Sequence, residues 1–86
     1  MKIYKYPLSF LGNRISLPKN AQPLCVKLQR DIPCLWAMVD PNEPVHPVKV
    51  ECVPTGCTVP DNVDKYLGTV LTDNGTYVFH FFTLKD

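Results

Sequence analysis

The chain has no run approaching the roughly 18 to 20 apolar residues that a membrane-spanning helix requires, so no helical crossing of a bilayer is expected. It also has no excess of charge: nine Lys/Arg stand against eight Asp/Glu, a formal net charge of +1. Without a field of one sign, sequence-independent binding of nucleic acid or anionic lipid is not expected. The same balance excludes a mimic of DNA, which would be strongly acidic. Cys25, Cys34, Cys52 and Cys57 contain no CxxC pair, and neither His46 nor His80 is placed to complete a zinc site. No metal and no cofactor is therefore expected. The opening MKIYKYPLSFLGNR is interrupted by Lys5, Tyr6, Pro7 and Ser9, and no small-residue cleavage site follows, so it does not read as an export signal. Free thiols are expected rather than two disulfides. Repeats, low-complexity tracts and charge blocks are missing too.

Proline, by contrast, is abundant. Nine in 86 residues is roughly twice the usual frequency of about 5%, which cuts the chain into pieces too short for an all-α fold. With 45% hydrophobic residues, the length suits one compact domain over residues 1–86. Period-two alternation bounded by Pro, Gly, Asn and Asp marks strands at Lys2 to Tyr6, Arg14 to Leu17, Leu24 to Gln29, Cys34 to Val39, Val48 to Val53, Tyr66 to Leu71 and Tyr77 to Leu84. The first two read as a loose hairpin around Gly12-Asn13. The third and fourth are joined so tightly that antiparallel pairing is nearly forced. Asp40 to Pro47 reads as a surface loop of polyproline character, and Asp73-Asn74-Gly75 is the strongest hairpin signal. Residues 60–64 have room for one short helical turn. The expected fold is all-β, a small antiparallel meander curled into a sandwich or barrel.

Two strands, Cys34 to Val39 and Tyr77 to Leu84, are apolar on both faces, and a strand of that kind is central or lies at an interface. For so small a core the second option suggests a homodimer or higher oligomer, with Tyr77, Phe79 and Phe81 as interface residues. No catalytic residue is assigned: no signature surrounds a cysteine–histidine pair, and the carboxylates sit mostly in turns where they cap backbone amides. His80, between Phe79 and Phe81, reads as a half-buried imidazole bonded across the sheet. Binding chemistry fits better. Thr55, Gly56 and Thr58 form a small hydroxyl-bearing turn able to point N–H groups at an anion. Arg14 and Arg30 can neutralise phosphates, and Trp36 can stack on a base. These six are the candidate ligand-binding residues.

The segments IYKYPL, CLWAMVDP, PTGCTVPD, YLGTV and YVFHFF resemble a family of short bacteriophage proteins of unassigned function, over nearly the whole chain. The chain departs from that pattern with Cys57 where relatives often carry histidine, and with Arg30-Asp31 where an Asn-Gly-like turn is usual. The resemblance implies a phage accessory protein of the host bacterial cytoplasm, outside the capsid and tail machinery. Such proteins commonly counter host defences. The expected function is non-enzymatic sequestration of a small nucleotide-derived signal. The alternatives are direct inhibition of a host defence protein, or a structural or assembly role.

Overall fold

The computed structural model describes residues 1–86. Seven strands follow one another: β1 (Lys2–Pro7), β2 (Asn13–Pro18), β3 (Gln22–Gln29), β4 (Ile32–Val39), β5 (Val45–Pro54), β6 (Val63–Thr72) and β7 (Tyr77–Leu84). They form two antiparallel sheets, β1-β4-β3 and β2-β5-β7-β6. The all-β class is as the sequence predicts, but residues 60–64 make no helical turn. Asp61 and Asn62 form a simple turn, and β6 already begins at Val63. Asn62 is instead drawn to the chain's last residues: its carbonyl accepts the Lys85 N–H at 2.7 Å and its Nδ2 donates to the Lys85 carbonyl at 3.0 Å. Backbone and side-chain groups that a helical turn would use locally are thus spent across the sheet.

β1 and β2 do not form the hairpin that Gly12-Asn13 suggested; they belong to different sheets. Leu8 is buried, and its N–H donates to the Pro33 carbonyl at 2.8 Å, which carries the chain past the end of β1 into the core. Ser9 and Asn13 then clasp one another. The Ser9 N–H donates to Asn13 Oδ1 at 3.0 Å, and Asn13 Nδ2 donates to the Ser9 carbonyl at 2.9 Å. The expected loop from Asp40 to Pro47 is also shorter, since β5 starts at Val45 and pairs Pro47 with Ser16. Proline is tolerated there because β7 pairs with β5 only from Val50 onward, leaving no neighbour to miss its N–H.

The turn joining β3 to β4 consists of Arg30 and Asp31, with φ of 51° and 66°, between paired Gln29 and Ile32. A two-residue hairpin matches the twist of its strands when both central residues take positive φ. An arginine here adopts a conformation that side chains larger than Asn rarely accept. Asp73, Asn74 and Gly75 also have positive φ, at 52°, 55° and 87°, inside a four-residue connection closed by the Thr72–Tyr77 pair.

The core lies between the sheets around Val26, Leu35, Val50, Leu67, Val70 and Phe81. Phe81 has no exposed surface, so its expected interface role is corrected to a place in the core. β4 and β7 are inner strands of their sheets; one face of each lines the core, and the outward residues Trp36, Met38, Val78 and Phe82 are half-buried. At one side the sheets nearly touch. A Cβ built on Gly68 of β6 would lie 2.7 Å from the Val26 carbonyl oxygen and 3.0 Å from the Val26 nitrogen, both backbone atoms of β3. Only a residue without a side chain permits that approach, and the φ of 155° favours glycine as well.

Gly68→Ala is expected to cost about 3 kcal/mol through overpacking against an immovable backbone and an unsuited φ, lowering Tm by about 15 °C; thermal unfolding checks it. The double variant Arg30→Asn, Asp31→Gly is expected to gain about 1 kcal/mol by relieving the strained turn, read as a higher midpoint in urea.

Candidate functional site: the cleft between the hairpin tips

Two strained hairpin tips meet at one end of the domain. The tip of β3–β4 and the tip of β6–β7 flank an open cleft of about 850 Å3, whose apolar lining is Phe10, Leu28, Leu71 and Phe79. Phe10 arrives from the connection between β1 and β2, and its ring lies 4.7 Å from that of Phe79, tilted at 47°. The offset geometry is one that aromatic quadrupoles favour. Phe10 also lies 6.3 Å from Phe81, so the cleft floor is continuous with the core. The rim carries the carboxylates of Asp31 and Asp73, with Asn74 and Gly75 beside them. An apolar floor with a polar rim built on strained turns is an arrangement that binds ligands through loops held by a rigid scaffold.

The six expected ligand-binding residues do not converge on this cleft or on one another. Arg14 is exposed on edge strand β2, opposite Lys49. Trp36 is half-buried in β4, between Lys5 and Cys25. Because Trp36 alternates with the buried Leu35 and Ala37, it lies on the outer face of the three-stranded sheet, away from the other sheet. Arg30 sits in the β3–β4 tip and alone among the six adjoins the cleft, next to Asp31. Thr55, Gly56 and Thr58 are exposed in the connection from β5 to β6. The Thr55 N–H donates to the Val78 carbonyl of β7 at 3.0 Å, and the Cys57 N–H closes the turn on the Pro54 carbonyl at 3.1 Å. Tyr77 is exposed and Phe79 half-buried, their rings 6.4 Å apart. Sequence reasoning did not single out Phe10, Leu28, Asp31, Leu71 or Asp73 as site residues; the Asp-Asn-Gly turn was the one local signal, and it touches only the β6–β7 side of the cleft.

His80 is occupied structurally. Its Nε2 lies 2.8 Å from Thr55 Oγ1 and its Nδ1 lies 2.9 Å from Thr69 Oγ1, with Tyr66 Oη bonded in turn to Thr69. The imidazole thereby ties β6 and the loop after β5 to β7, as the sequence reading expected. At the opposite end of the domain a smaller cleft of about 430 Å3 gathers His46, Lys65 and Lys85 with Asp64 and Asp86, so charges of both signs offset one another there.

These features define a small all-β domain of two stacked antiparallel sheets with a ligand-sized cleft at one end. The chain belongs to the family described as Domain of unknown function (DUF7352), whose model matches residues 1–86. No curated protein and no solved structure matches it.

All four cysteines are free; Cys57 is exposed, Cys25 half-buried, and Cys34 and Cys52 are buried. Burial, helped by the neighbouring charge of Glu51, pushes the Cys52 thiol up from 9.0 to about 11. Cys57 is therefore expected to react first with a thiol reagent in the native protein, and Cys52 only on unfolding. The folded chain holds the Cys52 proton that the unfolded chain releases near pH 9, so this contribution to stability is intact below pH 9 and lost as pH rises to about 11. Cys52→Val is expected to flatten that stretch of the stability profile, measured by urea unfolding across the same range.

Proposed function

We propose that the chain is a non-enzymatic binding protein that inhibits a protein target through the cleft between its hairpin tips, in the setting of phage counter-defence. The observation that carries this reading is the composition of the cleft: an aromatic and aliphatic floor with carboxylates on the rim. Protein anchors are typically apolar or cationic side chains with long apolar stems, which such a site desolvates and pairs. The dispersal of Arg14, Arg30, Trp36 and the Thr55–Thr58 turn argues the same way, because a phosphate-bearing ligand needs cations that converge. The phage setting rests on the resemblance of IYKYPL, CLWAMVDP and YVFHFF to short phage proteins, and with it the placement in the host cytoplasm. His80, bonded at both ring nitrogens to threonine hydroxyls, has no carboxylate to orient it as a base, which supports a non-catalytic role. Capture of a nucleotide-derived signal is the second reading, and the Phe10–Phe79 pair favours it as a stacking platform for a base.

Expression in bacteria carrying individual defence systems, each challenged by a phage it blocks, tests the proposal. The wild-type chain is expected to restore plating on one such host. Leu71→Asp, at a cleft residue that is 54% exposed and so tolerant of substitution, is expected to lose that rescue. The loss in target affinity is expected to be about 2 kcal/mol, roughly thirtyfold in Kd. Purified protein heated with a panel of nucleotide signals separates the two readings: a raised Tm with one of them supports capture of that signal and overturns the protein target. Equal rescue by Leu71→Asp, or none by the wild type on any host, overturns the cleft as the inhibitory site.

A further inference from the structure

We infer that the open edge of β1 is a docking site for one extended, acidic segment of a partner protein, which adds to the three-stranded sheet as a further strand. The site is separate from the cleft and does not depend on it. β3 and β6 are closed together by the Gly68–Val26 approach, so both open edges, β1 and β2, lie on the other side of the domain. β1 is therefore an edge strand with a paired neighbour, β4, on one side only.

The direction of the free hydrogen-bonding groups follows from the register. The Leu8 N–H donates to the Pro33 carbonyl, and β1 pairs with β4 without a break from Lys2↔Val39 to Pro7↔Cys34. In an antiparallel ladder the bonded residues alternate, so Tyr6, Tyr4 and Lys2 turn their main-chain groups toward β4. Ile3 and Lys5 turn theirs outward. Pro7 also falls on the outward set, where its missing N–H breaks no bond within the sheet. Ile3 is 61% exposed.

Charge selects the occupant. The two open edges carry Lys2, Lys5 and Arg14 and no carboxylate, in a chain whose net charge is only +1. Lys49 stands opposite Arg14 and adds to the field. Lys5 reaches across the sheet to Gln29 Oε1 at 2.8 Å, a neutral acceptor that a carboxylate would outcompete. A second copy of the chain fits poorly, because antiparallel pairing of β1 with another β1 would bring the lysines Lys2 and Lys5 of both copies together with no carboxylate between them. Main-chain bonds would supply affinity and alternate acidic side chains the selectivity, as in other strand additions.

The probe is a capped peptide of alternating glutamate and valine, as long as β1, titrated into the isotope-labelled full chain alongside a lysine–valine counterpart. The glutamate peptide is expected to shift the amides of Ile3 and Lys5 and to bind at least about tenfold more tightly than the lysine peptide. Ile3→Pro removes an outward N–H and is expected to abolish binding while leaving Tm within a few degrees. Should that variant fail to fold, Lys2→Glu is read instead, and it is expected to reverse the preference between the two peptides. Equal binding of both peptides overturns the inference. So does the lack of binding at ~1 mM, shifts confined to Asp31, Asp73 and their neighbours, or dimerisation of the chain through the same amides.

Discussion

The approach of β6 to β3 at Gly68 is the contact on which the rest of the arrangement depends. Hydrophobic burial alone would stack two sheets about 10 Å apart and leave both sides open. By letting backbone meet backbone, a glycine at this one position pinches the sandwich shut along one side. Leu67, the extra residue in the irregular pairing beside Gly68, is then turned into the core, where it is 4% exposed. The irregularity and the glycine are one device: the shift in register re-aims a side chain inward just where the strand must come closest. The same pinch fixes which edges remain free, and so gives the domain a closed side and an open side.

The distribution of backbone strain follows a second constraint. Five residues other than glycine have positive φ, and four of them, Arg30, Asp31, Asp73 and Asn74, lie in the two tips that flank the cleft. Each sits where a short connection must reverse the chain without splaying its strands. Two tips held in fixed shape present Asp31 and Asp73 at fixed positions above the aromatic floor. On the proposed reading, tips of this shape would lose little entropy on capture of a partner. The cost is borne by the scaffold, whose inner strands β4 and β7 are each flanked by paired neighbours and line the core with one face.

How much was legible in the sequence follows from the range of each signal. Strand periodicity is local, so all seven strands were readable from alternation and from Pro and Gly punctuation. The β3–β4 hairpin was readable for the same reason, although Arg30-Asp31 is unusual turn chemistry. Pairing between distant strands was not readable: nothing local in Ile3 or Ile15 says that one joins β4 and the other β5. The false hairpin at Gly12-Asn13 arose there, because the burial of Leu8 and the Ser9–Asn13 clasp are tertiary facts. The six ligand candidates were chosen by side-chain chemistry, and chemistry does not fix position. Arg14 and Trp36 ended on outward faces of different sheets, Trp36 alternating with the buried Leu35 and Ala37 and Arg14 with the half-buried Asn13 and Ile15. Phe10 and Phe79, which do meet, carried no joint signal: Phe79 read as an interface residue and Phe10 stood outside every strand.

Net charge conceals the most useful electrostatic feature of the molecule. A value of +1 argues against a general attraction for polyanions, and that argument holds for the chain as a whole. Locally the charges are sorted: carboxylates of Asp31 and Asp73 at the cleft, Lys2, Lys5 and Arg14 along the open edges. Charges separated by more than the ~8 Å screening length at physiological salt act almost independently, so the basic open edges and the cleft rim, where Arg30 adjoins Asp31, present different local fields. Sorting of this kind does little for folding, because exposed charges contribute little to stability. Local fields of opposite sign matter instead in recognition generally, where they favour complementary partners and disfavour those of the wrong sign. A domain that is nearly neutral overall can therefore still differ in local charge from one surface to another, because a few side chains set the sign at each place.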